Sequence, residues 1–82
     1  MSREEIFDQL RGHLRDLFAI DPETVRWETR LYQDLDLDSI DAVDLVVRLQ
    51  QETGKKIKPE DFKAVRTVGD VVEVIDRLLQ EG

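Results

Sequence analysis

Cysteine is absent from the chain, and with it go any disulfide framework, thiolate metal site or cysteine nucleophile. The absence fits a reducing compartment. Long apolar runs are also missing. No segment approaches the ~18 apolar residues that a membrane helix needs, and the opening "MSREEIF" lacks the apolar stretch of a signal peptide. These absences predict a soluble cytoplasmic protein with no membrane insertion. Basic residues are in the minority, with 12 Lys and Arg against 19 Asp and Glu and a net charge of −7. Such a surface repels phosphate backbones and anionic membranes, which excludes nucleic acid as an expected partner, and it attracts basic proteins. Length is short as well. A chain of 82 residues reads as a single domain over 1–82. It buries only about 60% of the surface its unfolded form exposes, leaving little room for a deep substrate cavity. There are no internal repeats, low-complexity tracts or interdomain linkers.

What the chain does have is helical periodicity. The first helix is expected over about residues 3–18, opened by a capping box of Ser2 and Glu5. Its apolar stripe reads Phe7, Leu10, Leu14, Leu17 and Phe18. "AIDPETVRWETRLYQ" reads as a long loop with a helical turn near 22–25; Trp27 and Tyr32 within it either cover the open end of the bundle or meet a partner. The second helix starts at the pair Asp38 and Ser39, with Asp38 as N-cap and Asp41 placing charge in the first turn, where the helix dipole favours anions. Its rows Ile40, Val43, Val47 and Ala42, Val46, Leu49 predict a wide buried stripe, and Gly54 sits where a C′ residue ends a helix. "KKIK" is an extended link carrying Ile57. Pro59 opens a short helix over about 59–65 that buries Phe62 and Val65.

The last helix has the clearest pattern. Thr67 and Asp70 start it, Val68, Val71, Val72, Ile75, Leu78 and Leu79 follow the i, i+3, i+4, i+7 rule, and Gly82 closes the chain. The β-branched "VVEVI" also suits a strand, but a 3.6-residue period over twelve positions with a cap decides for helix. The expected fold class is all-α: a small four-helix bundle of three main helices and one short one, with a long loop between helices 1 and 2.

The segment "QDLDLDSIDAVDLVV" sets five aspartates, Asp34, Asp36, Asp38, Asp41 and Asp44, around Ser39. Solvated capping is the plain explanation. Asp34-x-Asp36-x-Asp38 also matches the first three ligands of a calcium loop, but its sixth position holds Ser39 where glycine is needed and its twelfth holds Leu45 where glutamate is needed. No metal site is expected there beyond weak, adventitious cation binding. Serine hydrolysis fits no better. His13, the single histidine, reads as a surface residue of helix 1. No Gly-x-Ser-x-Gly elbow surrounds Ser39, and neighbouring carboxylates raise the cost of an alkoxide. That points to another possibility beside plain capping: modification of Ser39 by another enzyme that brings its own base, with a phosphodiester placed against the positive end of the helix dipole. The chain itself is not expected to be an enzyme.

In this context "DLDLDSIDAVDLVVRLQ" resembles the prosthetic-group site of acyl carrier proteins. The resemblance spans nearly the whole chain, including the leading helix, the loop ending in "LYQDLDLDS", the "ETGKKI" exit from helix 2 and the closing "TVGDVVEVI". It implies that Ser39 takes 4′-phosphopantetheine from coenzyme A through a phosphopantetheinyl transferase, with Asp38 helping that enzyme and its magnesium. Acyl groups are then held as thioesters and delivered to ketosynthase, acyltransferase and other acyl-processing enzymes. Asp36, Ile40, Asp41 and Asp44 match the face that basic patches on partners read, and a monomer is expected.

The sequence departs from the usual pattern at several positions. Ile40 replaces the commonest leucine, Asp36 and Leu37 replace Gly-Ala or similar, and Thr53 stands where many members have an aromatic, a volume that Phe62 is expected to refill. "KKIKPEDFKAVR" carries five bases, Lys55, Lys56, Lys58, Lys63 and Arg66, against two acids. That charge either marks a specialised carrier of polyketide-like or aryl-polyene-type synthesis or is simply solvated. Acyl cargo is expected between helices 2 and 4 and the short helix, bounded by Val43, Val46, Val47, Ile57, Phe62, Val65 and Val72. An aminoacyl, peptidyl or D-alanyl carrier, and an acidic interaction module without the prosthetic group, stay open as alternatives.

Overall fold

The structure, a computed structural model, describes residues 2–58, 61–62 and 64–81, the last by its backbone alone. Three helices make the bundle: α1 (Arg3–Phe18), α2 (Ser39–Thr53) and α3 (Val68–Glu81). A 3-10 turn, Pro22–Thr24, interrupts the long loop after α1. Among the described residues there is no strand, only an isolated antiparallel bridge between Arg30 and Thr67. The all-α expectation holds. Of the short helix expected over 59–65, Asp61 and Phe62 are helical, Ala64 is a turn and Val65 is irregular, so the helix stops before its expected end. Pro59, Glu60, Lys63 and the closing Gly82 lie outside the described residues.

Reciprocal caps set where each helix begins. Glu5 N–H donates to Ser2 Oγ at 3.2 Å, while Ser2 N–H donates to Glu5 Oε1 at 3.1 Å. The same exchange joins Thr67 and Asp70 at the start of α3. Backbone N–H groups of Arg66 and Thr67, both donating to Asp70, hold its carboxyl below the usual range. At the C-terminal ends, Ala19 (φ 58°) and Gly54 (φ 68°) turn left-handed, and their N–H groups close back onto Arg15 and Gln50.

Ile6, Leu10 and Leu14 of α1, Leu45 and Leu49 of α2, and Val68, Val71, Val72 and Ile75 of α3 meet at the centre, joined by Val25, Leu31 and Leu37 of the loop and by Ile57 and Val65. Burying each such side chain contributes about 1.5–3 kcal/mol. Two stripes differ from their sequence reading. On α1 the buried line runs Ile6, Leu10, His13, Leu14, whereas Leu17 is exposed and Phe7 and Phe18 are half-buried. Phe7 is turned aside because it stacks on Trp27, with ring centroids 4.5 Å apart. On α2 the row Ile40, Val43, Val47 is 71%, 60% and 45% exposed. Leu45 and Leu49, one turn apart, seat this helix instead, so its buried face is narrow.

His13 is also corrected: it is buried between α1 and its neighbours, not on the surface. Standing three residues after Leu10 and next to Leu14 on the buried line places it inward, and its Nε2 is buried without a partner. Burial pushes the imidazole below its ordinary 6.5, opposed by Glu52 and Asp16 and assisted by Arg48. A depressed folded value means that the unfolded chain takes up the proton first. Stability should therefore be full above pH 6.5 and fall as pH drops below it, ahead of the carboxylates. Urea midpoints for the native chain and His13→Gln between pH 7.5 and 5 check this. The native midpoint should decline and the variant's stay flat; parallel curves would exclude His13 as the cause.

Thr53 and His13 both border a hollow of about 100 Å³ between the three helices. Phe62 does not refill it, because that ring lines a different flank of α2.

Candidate functional site

The long loop reaches α2 through a rigid base. Leu31 N–H donates to the Arg66 carbonyl (2.9 Å), Val68 N–H to Thr29 (2.9 Å) and Gly69 N–H to Trp27 (2.8 Å), fastening the loop to the start of α3. A Cβ on Gly69 would stand 3.0 Å from the Trp27 carbonyl oxygen, so a larger residue would need this backbone joint to give by a few tenths of an ångström. From there Leu37 is buried, its N–H donating to Leu31. Asp36, just before it, has φ 58°. Glycine is favoured in this region and aspartate is among the few other residues that tolerate it. That accounts for the glycine expected at this position in the related pattern.

Asp38 is the N-cap and Ser39 the first residue of α2. Asp41 N–H donates to Asp38 Oδ1 at 2.9 Å, and Asp38 N–H donates to Asp41 Oδ2 at 3.1 Å. This box consumes two of the five carboxylates in helix capping. Asp34 is committed too, accepting the Arg30 N–H at 2.8 Å. Asp36 and Asp44 remain as exposed charges. Ser39 is exposed, and its hydroxyl takes no part in the cap. With Asp41 N–H and Ala42 N–H already engaged, the amides of Ser39 and Ile40 are the orphan donors of this helix end. An anionic ester on Ser39 would meet those donors and the helix dipole, so the residues present fit a phosphodiester-linked group. Among the described residues, no group of three or more His, Asp or Glu side chains is placed to hold a metal ion.

One turn beyond Ser39 an apolar groove of about 420 Å³ opens along α2, lined by Tyr32, Ala42, Val43, Val46, Val47, Gln50, Ile57 and Phe62. The structure thus brings together five of the seven positions expected around cargo: Val43, Val46, Val47, Ile57 and Phe62. Val65 and Val72 lie elsewhere, buried in the core. They are apolar by period, but their side chains are taken up by the core and do not line the groove. Tyr32, Ala42 and Gln50 were missed. Extending the row Val43, Val46, Val47 by one more step of three finds Gln50, whose Oε1 accepts the Ile57 N–H at 2.9 Å and pins the floor of the groove. Tyr32 lies in an aperiodic loop, where the sequence marks it as a cover or a partner contact but not as part of the groove.

Known proteins resemble this chain in sequence and fold. A family model described as "Phosphopantetheine attachment site" matches residues 8–75. Acyl carrier protein 2 of Ralstonia nicotianae is 53% identical over 79 residues, covering 96% of this chain and 98% of that one. The acyl carrier protein of Coprothermobacter proteolyticus is 38% identical, covering 93% of each. The crystal structure of the acyl carrier protein from Thermotoga maritima matches with a TM-score of 0.87 at 28% identity, over 99% of this chain and 94% of that one. With the exposed hydroxyl, the fold and these likenesses in agreement, the chain belongs to the phosphopantetheine-attachment family as an acyl carrier protein, a carrier of acyl intermediates and not a catalyst.

Proposed function

We propose that Ser39 is the attachment residue for 4′-phosphopantetheine, and that residues 1–82 act as one monomeric carrier domain in the cytoplasm. It would serve fatty-acid- or polyketide-type enzymes. The observation that carries this reading is the exposed Ser39 hydroxyl at the head of α2, uninvolved in capping and flanked by orphan amides. The arm supplies a thiol on which acyl groups are held as thioesters. The chain's own residues do the rest. Asp38 and Asp41 lock the first turn, so that Ser39 is presented at a fixed place. Ser39 and Ile40 N–H groups stabilise the ester charge. The groove along α2 shelters apolar cargo from water, at about 25 cal/mol for each Å² covered.

Asp36, Ile40, Asp41 and Asp44 form the recognition face for the transferase, ketosynthase and acyltransferase. Ile40, 71% exposed beside Ser39, supplies an apolar contact inside a ring of acids. Exposed charges are screened beyond ~8 Å at physiological ionic strength, so binding through this face should be weak and salt-sensitive, as transient delivery requires.

Incubating the chain with coenzyme A, magnesium and a broad-specificity phosphopantetheinyl transferase tests the reading. Intact mass should rise by one phosphopantetheine, and peptide mapping should place it at Ser39. An unmodified chain, or a modification at another residue, would sink it. The recognition face has its own test. Asp44→Lys should slow modification several-fold at low salt while leaving Tm unchanged, because Asp44 takes no part in a cap. Asp41→Lys should slow it and also cost about 1 kcal/mol of stability, since it breaks the box and sets a cation at the positive helix end. Equal rates for native and Asp44→Lys chains would remove the electrostatic role.

A further inference from the structure

Gln50 is the last residue of α2 to line the apolar groove. Two peptide groups converge on it. Gly54 N–H donates to the Gln50 carbonyl at 2.9 Å as the helix closes. Ile57 N–H, seven positions on, donates to the side-chain Oε1, also at 2.9 Å. Between them, Lys55 N–H donates to Thr53 Oγ1 at 3.2 Å, so the chain folds back across the end of its own helix. Among the described residues, the Gln50–Ile57 bond is the only hydrogen bond beyond the C-cap turn that joins α2 to the segment after it. Ile57 is itself buried and lines the groove together with Phe62 of that segment. One polar side chain therefore ties the two apolar walls to each other.

We infer that Gln50 is a specificity-determining residue: its bond to Ile57 closes the far end of the groove and sets the longest acyl chain that the groove takes. The inference rests on attachment at Ser39, with the thioester at that end. From Ala42, the α2 lining residue nearest Ser39, to Gln50 is about 12 Å along the helix. An extended chain advances about 1.2 Å per bond, a third of the reach of one residue, so about ten carbons fill that length. Further methylenes have to pass Gln50. Doing so parts the Ile57 N–H from its acceptor and leaves a peptide donor of a buried residue unsatisfied. Burying one or two more methylenes does not recover that loss. A longer chain leaves its surplus carbons in water.

The test loads the native chain, Gln50→Ala and Gln50→Glu from the coenzyme A thioesters of butanoate, decanoate and tetradecanoate, with mass spectrometry confirming each product. Each Tm is compared with that of the same chain carrying the bare arm, which cancels the stability cost of the substitution itself. Gln50→Glu keeps an oxygen for the Ile57 N–H, whereas Gln50→Ala removes it. In the native chain Tm should climb from butanoyl to decanoyl and stay level at tetradecanoyl. Gln50→Glu should level off likewise, and Gln50→Ala should go on climbing. Ile57 amide exchange, read by NMR on the bare-arm forms, should be slow in the native chain and in Gln50→Glu, and about tenfold faster in Gln50→Ala. A native Tm that climbs through tetradecanoyl, or a Gln50→Ala chain that levels off with the native one, would overturn the inference. Slow Ile57 exchange in Gln50→Ala would do the same, since another contact would then hold this end. Should Gln50→Ala not fold, the native and Gln50→Glu series decide. A chain that takes up no arm brings down the attachment reading together with this one; chains that load and fail the length comparison bring down this one alone.

Discussion

Ser39→Ala should gain no mass at all after incubation with coenzyme A, magnesium and transferase, under conditions in which the native chain is converted completely. The change removes one oxygen from an exposed position that supports neither the cap nor the core, so the variant should melt within about 0.5 kcal/mol of the native chain. The pairing of total loss with an intact fold is the informative part. A neighbouring hydroxyl that substituted for Ser39 would show as residual modification. The hydroxyls of Ser2, Thr24, Thr29, Thr53 and Thr67 are ill placed to do so. Each serves a helix end or a turn, whereas the Ser39 hydroxyl takes no part in its cap. If Ser39→Ala were modified at the native rate, the attachment site would lie elsewhere and the groove beside it would lose its meaning.

The second large effect concerns stability and discriminates the two faces of α2. Leu45 is 1% exposed and Val43, two residues earlier, is 60% exposed. Leu45→Ala should cost about 2–5 kcal/mol through lost burial and the cavity left behind. A domain of this size holds only about 0.05–0.15 kcal/mol per residue, so much of its total stability would go, with Tm falling by about 10 °C or more. Val43→Ala should cost little, within about 0.5 kcal/mol, because its side chain already faces water. Thermal or urea unfolding followed by circular dichroism measures both. Similar losses from the two substitutions would mean that α2 is rotated relative to the orientation described above.

That contrast also shows where the sequence was legible. Helix starts were readable wherever a short polar side chain and an acid stand three apart, as in Ser2 with Glu5, Asp38 with Asp41 and Thr67 with Asp70, because capping is a local exchange of hydrogen bonds. The α3 stripe was readable because that helix is covered on one continuous side. Periodicity failed on α2 for a physical reason: it reports which side chains are apolar, not which have something to pack against. Ile40, Val43 and Val47 share a row as regular as any core stripe, yet all three are exposed. His13 was misread for the opposite reason. A polar residue inside an apolar stripe looks like an outward interruption until the neighbouring helices enclose it. Tyr32, Arg30 and Arg66 come together only through the bridge that pairs a loop with the start of α3, 37 positions away from Arg30 to Thr67, and no local spacing encodes that.

The attachment of the loop to α3 has a broader consequence. The three bonds that hold it, from Leu31, Val68 and Gly69 to Arg66, Thr29 and Trp27, run between peptide groups alone. Apart from the tight fit at Gly69, the joint is indifferent to what its outward side chains are. Residues such as Arg30, Gln33 and Arg66 can thus be exchanged over evolutionary time without dismantling the scaffold. The same small frame can in this way be refitted for different customers by changing its outer lettering alone.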